Sequence, residues 1–212
     1  MAASTESVAF GTPAREQAAN RFAMWIFIGS EVMLFGALLL VFLIARMSYG
    51  PAFAAASRRL SLPLGTLNTI VLISSSFAMA LAHLFARRSR RRAAACSLAA
   101  TALLGLVFLA IKTAEYTMEF REGVAPVLRA PFTYDGPDPS HAEFFFSLYF
   151  AMTSLHALHL IGGIVVIAGM LVMWSRATQS SRLRRVRAIG LYWHFVDIVW
   201  VFLFPILYLI NR

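Results

Sequence analysis

Several ionisable side chains stand inside long apolar runs, where such groups are costly and face protein or water rather than lipid. Glu31 lies in the middle of WIFIGSEVMLFG, His83 near the end of a second run, His156 and His159 within FAMTSLHALHLIGG, and His194 and Asp197 within YWHFVDIVW. A lone carboxyl at mid-membrane needs a partner or a proton, so Glu31 is a candidate for a structural hydrogen bond or for proton or lipid handling. His156 and His159, three apart, share a helix face, with Tyr149 and Thr153 on roughly the same side and Gly162 and Gly163 allowing close approach. Together they offer two metal ligands where a site needs three or four, and His194 and Asp197 complete a set only if their helix packs there. His194 and Asp197 are spaced to pair with each other. Asn68, Ser75, Ser76 and His83 recur as a polar seam. The ordinary work of such groups is interhelical hydrogen bonding, about 0.6–2 kcal/mol each. Lys112, Glu115 and Glu119 are spaced to pair along a helix edge and read as an interfacial cluster whose lysine snorkels. No serine elbow, phosphate-cradling loop or zinc-protease helix is present in the sequence.

The elements that must position these residues are membrane helices. Of 212 residues, 59% are hydrophobic, against about 45–50% in an ordinary soluble domain. The excess is concentrated in five continuous runs: Phe22–Ala45, Leu64–Ala86, Ala94–Tyr116, Ala142–Trp174 and Ile189–Ile210. Each is long enough to cross roughly 30 Å of hydrocarbon as a helix, and the fourth is long enough to tilt or protrude. Continuous rather than alternating hydrophobicity argues against a barrel. The expected fold is an all-α, five-helix transmembrane bundle over residues 22–212, preceded by a polar leader, residues 1–21, with no apolar core of a cleavable signal. Gly50-Pro51 punctuates the first loop, Pro63 suits a helix start, and the Pro- and Gly-rich stretch 119–140 reads as the longest surface loop. The single cysteine, Cys96, cannot close an intrachain disulfide.

The net charge of +9 is carried by arginines between apolar runs, which fits membrane topology and lipid headgroups rather than nucleic acid. Arg87, Arg88, Arg90, Arg91 and Arg92 fill the second loop. Arg182, Arg184, Arg185 and Arg187 fill the fourth, with Arg176 at its edge. These loops share a side with the N-terminus, so the N-terminus is expected in the cytoplasm and the C-terminus outside. Trp25, Trp174, Trp193 and Trp200 lie in part near span ends, as aromatic belts do.

Five segments in order resemble subunit III of haem–copper oxidases: MWIFIGSEVMLFGALL, LPLGTLNTIVLISSSFAMALAH, LVFLAIKTAEYTMEF, FFSLYFAMTSLHALHLIGG and YWHFVDIVWVFLFPILYL. The resemblance extends from Phe22 to Arg212 and is to the short, five-helix bacterial form, which lacks the first two helices of longer members. It implies a non-catalytic subunit of the bacterial plasma membrane that packs with subunits I and II, binds phospholipid and sustains proton uptake. It also implies that haem and copper reside in those partner subunits and that this chain carries no cofactor. Five histidines and one cysteine agree, being too few for haem, copper and dicopper ligation. Under the resemblance, the family's buried glutamate maps to Glu31, its H-x-L-H pair to His156 and His159, and its W-H-x-x-D segment to Trp193, His194 and Asp197. Arg176 falls near the family's lipid-phosphate arginine.

Two rivals accompany this reading. The accessory membrane protein of nitric oxide reductase resembles the same family. A small transporter requires broken mid-membrane helices, and only Pro205 interrupts a span. Short quinol-oxidase forms sometimes carry aspartate at the position of Glu31, so the glutamate leans toward cytochrome c as electron donor.

Overall fold

A computed structural model describes residues 13–125 and 132–209. The elements in chain order are α1 Pro13–Ser48, α2 Gly50–Ser57, α3 Leu62–Arg87, α4 Arg91–Arg121, α5 Pro139–Val172 and α6 Gln179–Phe204, which runs into a π-helical turn, Pro205–Leu209. No strand occurs among the described residues. Five stretches are long and apolar enough to cross a membrane: Phe22–Ser48, Leu62–Arg87, Arg91–Arg121, Pro139–Val172 and Gln179–Leu209. The expected all-α, five-span architecture holds. Its cause is the backbone: in hydrocarbon every N–H and C=O must find a partner, and a helix supplies all of them within one segment. α5, with 34 residues, is about 50 Å long and so exceeds a hydrocarbon layer of roughly 30 Å.

Several boundaries differ from the sequence reading; α4, for one, is Arg91–Arg121 rather than Ala94–Tyr116, which makes Arg91 and Arg92 helical and shortens the loop expected over 119–140. Residues 13–21, assigned to the polar leader, are the first turns of α1; a proline is tolerated at a helix start, and AREQAAN is rich in helix formers. The rest of that leader, and Ile210 at the end of the last span, lie outside the described residues. α6 begins at Gln179 rather than Ile189, so Arg182, Arg184, Arg185 and Arg187 are helical rather than loop residues. Hydrophobicity marks only the lipid-crossing part of a helix, whereas arginine propagates a helix well beyond it. The N-terminus of α6 is capped by Thr178, which accepts the Ser181 N–H at 3.3 Å. Finally, Gly50-Pro51 opens α2 instead of merely ending α1; Pro51 sits in the first turn, where its missing N–H costs nothing.

The chain divides into two compact units, residues 1–37 and 38–212. The described part of the first is the leading half of α1, which carries Glu31. In the second, α3 packs along α4 and α6, while α5 packs against α4, α6 and α2. Glycines set the closest approaches. A Cβ on Gly105 of α4 or Gly163 of α5 would come within 3.0 Å of the Trp193 ring, so the indole of α6 lies where three helices meet. Trp193 and Trp200 are both buried, a correction to the interfacial belt expected of them. Their N–H groups explain the placement: Trp193 Nε1 donates to Ser75 Oγ and Trp200 Nε1 to Thr69 Oγ1, each at 3.1 Å. An indole with a buried acceptor loses its reason to sit at the interface.

The α3–α4 and α5–α6 turns meet at one end of the second unit. Trp174 Nε1 donates to Arg91 O at 3.2 Å, Gln179 reaches Ala86 O, and Arg182 Nη1 donates to Trp174 O at 3.1 Å. Both arginine clusters therefore share that end. α3 closes with the Arg90 N–H on Phe85 O and the Ser89 N–H on Ala86 O, a Schellman motif with Ser89 at φ 57°. α4 closes the same way with Gly123 at φ 72°. At the opposite end Phe42, Phe53 and Phe145 form a ring cluster with centroids 5.4–5.8 Å apart. His141 stacks on Tyr49 at 3.7 Å and holds Asp138 at 2.6 Å. In the loop before α5, burial pushes the Tyr134 phenol above its ordinary pKa, opposed by the Arg59 guanidinium.

Filling either glycine contact with Trp193 forces the helices apart. Gly105→Leu and Gly163→Leu are expected to destabilise the bundle by about 1–3 kcal/mol each, seen as earlier thermal unfolding in mild detergent. Gly169→Leu, with nothing within 4 Å of its Cβ position, should cause no such loss.

Candidate functional site

The most concentrated polar chemistry lies where α4, α5 and the π-helical turn meet. Lys112, Glu115 and Glu119 occupy one face of α4 at 2%, 1% and 6% exposure. The Lys112 ammonium places all three protons: on Glu115 Oε2 at 2.9 Å, on Tyr149 OH at 2.7 Å and on Tyr208 OH at 2.9 Å. Each phenol then passes its own proton to a carboxylate. Tyr149 donates to Glu119 Oε1 and Tyr208 to Glu115 Oε1, both at 2.7 Å. The ammonium also lies 4.5 Å from the centre of the Tyr149 ring and 5.1 Å from that of Tyr116, so aromatic faces replace water around it. Glu119 Oε2 is the one oxygen of the group with no hydrogen-bond partner among the described residues.

This arrangement corrects the interfacial reading of the three α4 residues. Snorkelling requires a free route to water for the ammonium, and here two tyrosines from other elements close that route. Tyr208 arrives through Pro205, which lacks the N–H that would continue the α-helix and turns its last residues into a wider π-turn. Leu207 and Tyr208 both point inward as a result. Leu207 O accepts the Ser57 hydroxyl at 2.7 Å. Gly65 leaves room for the Tyr208 ring, which lies 2.9 Å from where a Cβ would stand.

A second polar seam joins α3 to α6. Ser75 Oγ donates to Thr101 O at 3.1 Å while receiving Trp193 Nε1. Ser76 Oγ meets His194 Nδ1 at 2.7 Å. His194 therefore turns to α3 and not to Asp197, contrary to the pairing expected from their spacing. Asp197 is buried at 7% exposure beside the Ser76 hydroxyl, and neither carboxyl oxygen makes a hydrogen bond of full geometry among the described residues. Asn68, on the same helix as the serines, is fully buried with its amide likewise unpartnered among them.

The remaining sequence candidates are dispersed. His156 is fully buried, with Phe108 and Trp200 ring centres at 5.5 and 5.2 Å and no hydrogen bond to either ring nitrogen among the described residues. His159 turns its Nδ1 to Leu155 O at 2.8 Å, and its own carbonyl receives the Tyr192 hydroxyl at 2.7 Å. The two histidines share a helix but not an environment. His83 is half-buried toward the arginine-rich end, and Arg176 is exposed just beyond α5. Arg182, not singled out by the sequence, is the buried arginine there, at 2% exposure with its guanidinium 5.6 Å from the Trp174 ring. Glu31 lies in α1 within the first unit, beside Ser30, whose hydroxyl bonds back to Phe27 O at 2.7 Å. Among the described residues no three His, Cys, Asp or Glu side chains converge as a metal site would require. At the α4 network the resident cation is the lysine itself.

The family model described as cytochrome c oxidase subunit III matches residues 4–211. Relatives named probable quinol oxidase subunit 3, from Staphylococcus aureus strain USA300 and Staphylococcus epidermidis, are each 29% identical over 193 residues, covering 91% of this chain and 89% of the relative.

The network makes a directional expectation. Lys112→Met leaves two buried carboxyls facing each other without their cation and should cost about 3–5 kcal/mol. Removing the charges together, as Lys112→Met with Glu115→Gln and Glu119→Gln, should recover much of that loss. Denaturation of the purified protein in mixed micelles reads both.

Proposed function

Because the chain belongs to the cytochrome c oxidase subunit III family, we propose that it is the non-catalytic third subunit of a respiratory haem–copper oxidase, bracing catalytic subunit I beside subunit II in the bacterial plasma membrane. The observation that carries this reading is the match of the family model from residue 4 to residue 211. The interior supports a bracing role. Its lysine, carboxylates, tyrosines and tryptophans are bonded mostly to one another across helices, which makes a stiff scaffold. On this reading haem and copper belong to the partner subunits.

Four finer assignments belong to the same proposal. The shared end of the two arginine clusters faces the cytoplasm with the N-terminus, as the positive-inside rule directs, and the C-terminus lies outside. Arg176 and its neighbours at that end contact the phosphates of acidic lipid. Glu31, a carboxyl in the middle of a span, serves sustained proton uptake by the complex. The donor to the complex is a quinol. The names of the relatives favour this over cytochrome c, and they outweigh the lean that the glutamate at position 31 gave.

Purification of the tagged chain in mild detergent tests the reading. The expected result is co-purification of a catalytic subunit with a haem–copper oxidase spectrum, and oxygen consumption driven by a quinol but not by reduced cytochrome c. Co-purifying nitric oxide reductase chains, a solitary chain, or haem bound to this chain alone would overturn it. Glu31→Ala should leave the initial oxygen-reduction rate near wild type and lower it progressively with turnover; equal loss from the first cycle refutes the role of Glu31.

A further inference from the structure

α3 and α6 part around a cavity of about 330 Å³, lined on its polar side by Thr69, Ser76, His194 and Asp197. Three of these are accounted for. Thr69 donates to Gly65 O at 2.9 Å and accepts from Trp200, and Ser76 and His194 hold each other. Asp197 is left, more than nine-tenths buried, with the Ser76 hydroxyl beside it, which His194 already engages, and with neither oxygen in a hydrogen bond of full geometry among the described residues.

The position of Asp197 makes this costly. It lies deep within the span Gln179–Leu209, with Val196, Ile198 and Val199 around it in sequence. At that depth neither lipid headgroups nor bulk water supply hydrogen bonds. A carboxyl there needs donors if ionised and an acceptor for its proton if neutral, and a missing partner costs several kcal/mol. Within the cavity the Ser76 hydroxyl, shared with His194, offers at most one proton to two carboxyl oxygens, and the outer rim is apolar. Ile73 of α3 and Ile198 and Val201 of α6 stand at its mouth, 58%, 55% and 50% exposed. A carboxyl is thus framed by an outward-facing apolar surface on two helices. That is the pattern of a helix–helix contact with one polar anchor, where close packing and a single interhelical hydrogen bond drive association.

We propose that this groove seats a transmembrane helix of a neighbouring oxidase subunit, which places a hydrogen-bond-donating side chain on Asp197. Complementarity commits the chemistry of the occupant: apolar flanks to meet the isoleucines and valine, and one hydroxyl, indole, amide or cationic donor to meet the carboxyl. This rests on the proposed membership of a multi-subunit oxidase, and it names the face and the residue through which that membership is realised.

The test uses the complex purified through a tag on a partner subunit. Asp197→Leu should lower co-purification of this chain by about tenfold, the effect of losing roughly 1.4 kcal/mol, while Asp197→Asn, which keeps a carbonyl acceptor, holds most of it. A complex retaining the Asp197→Leu chain at wild-type level overturns the inference. Cross-linking remains decisive if Asp197→Leu fails to accumulate. In a Cys96→Ser background, an Ile198→Cys variant alkylated with a membrane-soluble maleimide that carries a benzophenone should, on illumination, couple through C–H insertion to another oxidase subunit. Coupling only from Val165→Cys on α5, which does not line the groove, or only to α1 of this same chain, overturns it. If the wild-type chain brings down no oxidase subunit at all, the failure is that of the proposed function instead.

Discussion

An ammonium ion in the interior of a membrane protein must be fully partnered, and the Lys112 network shows what that constraint demands of the rest of the fold. One lysine on α4 recruits a carboxyl one turn along its own helix, a tyrosine from α5 and a tyrosine from the end of α6. Each partner brings a further requirement. Tyr208 reaches the site only because Pro205 converts the last turn of α6 to a π-turn, and its ring fits only because residue 65 of α3 is glycine. Tyr149 needs its own acceptor, which is Glu119. Four elements are thereby tied at one point, and the order Lys to Tyr to Glu leaves no proton of the ammonium or phenols unplaced. A buried ion pair of this kind is weak evidence of extra stability but strong evidence of a specified register.

The second seam divides into groups that finish their hydrogen bonds inside the chain and groups, Asn68 and Asp197, that make none of full geometry among the described residues. Ser75, Ser76, Thr69, Trp193, Trp200 and His194 close on one another across α3, α4 and α6. Asp197 sits one turn from His194, and the two share the Ser76 hydroxyl as a neighbour. In water such an omission would be trivial, because solvent completes it. In hydrocarbon it is the feature on which the inferred docking of a neighbouring helix rests.

Charge at the ends and polarity in the interior thus do different work. The arginines are gathered at one end by the α3–α4 and α5–α6 turns. The inward polar groups fix which helix touches which. Membership of an oxidase subunit family accords with this division: the buried chemistry seen in the second unit is bonding between helices.

The amino-acid sequence determined the five spans, because continuous hydrophobicity over about 20 residues admits only a helix in lipid. It determined the family too, because MWIFIGSEVMLFGALL through YWHFVDIVWVFLFPILYL keep their order along the chain. It also exposed Glu31, His156, His159, His194 and Asp197 as costly residues, since a polar letter in an apolar run needs no structure to be noticed. Their partners were not legible. Spacing along one helix suggested His194 with Asp197 and a snorkelling Lys112, whereas the tertiary structure gave His194 to Ser76 and Lys112 to two tyrosines. Helical spacing reports only neighbours on the same helix, and in hydrocarbon the deciding partners come from other helices, whose rotation about their axes is set by packing. The arginine-bearing start of α6 was hidden for a related reason: hydrophobicity records the thickness of the membrane, while the length of a helix is decided by its cap and its backbone.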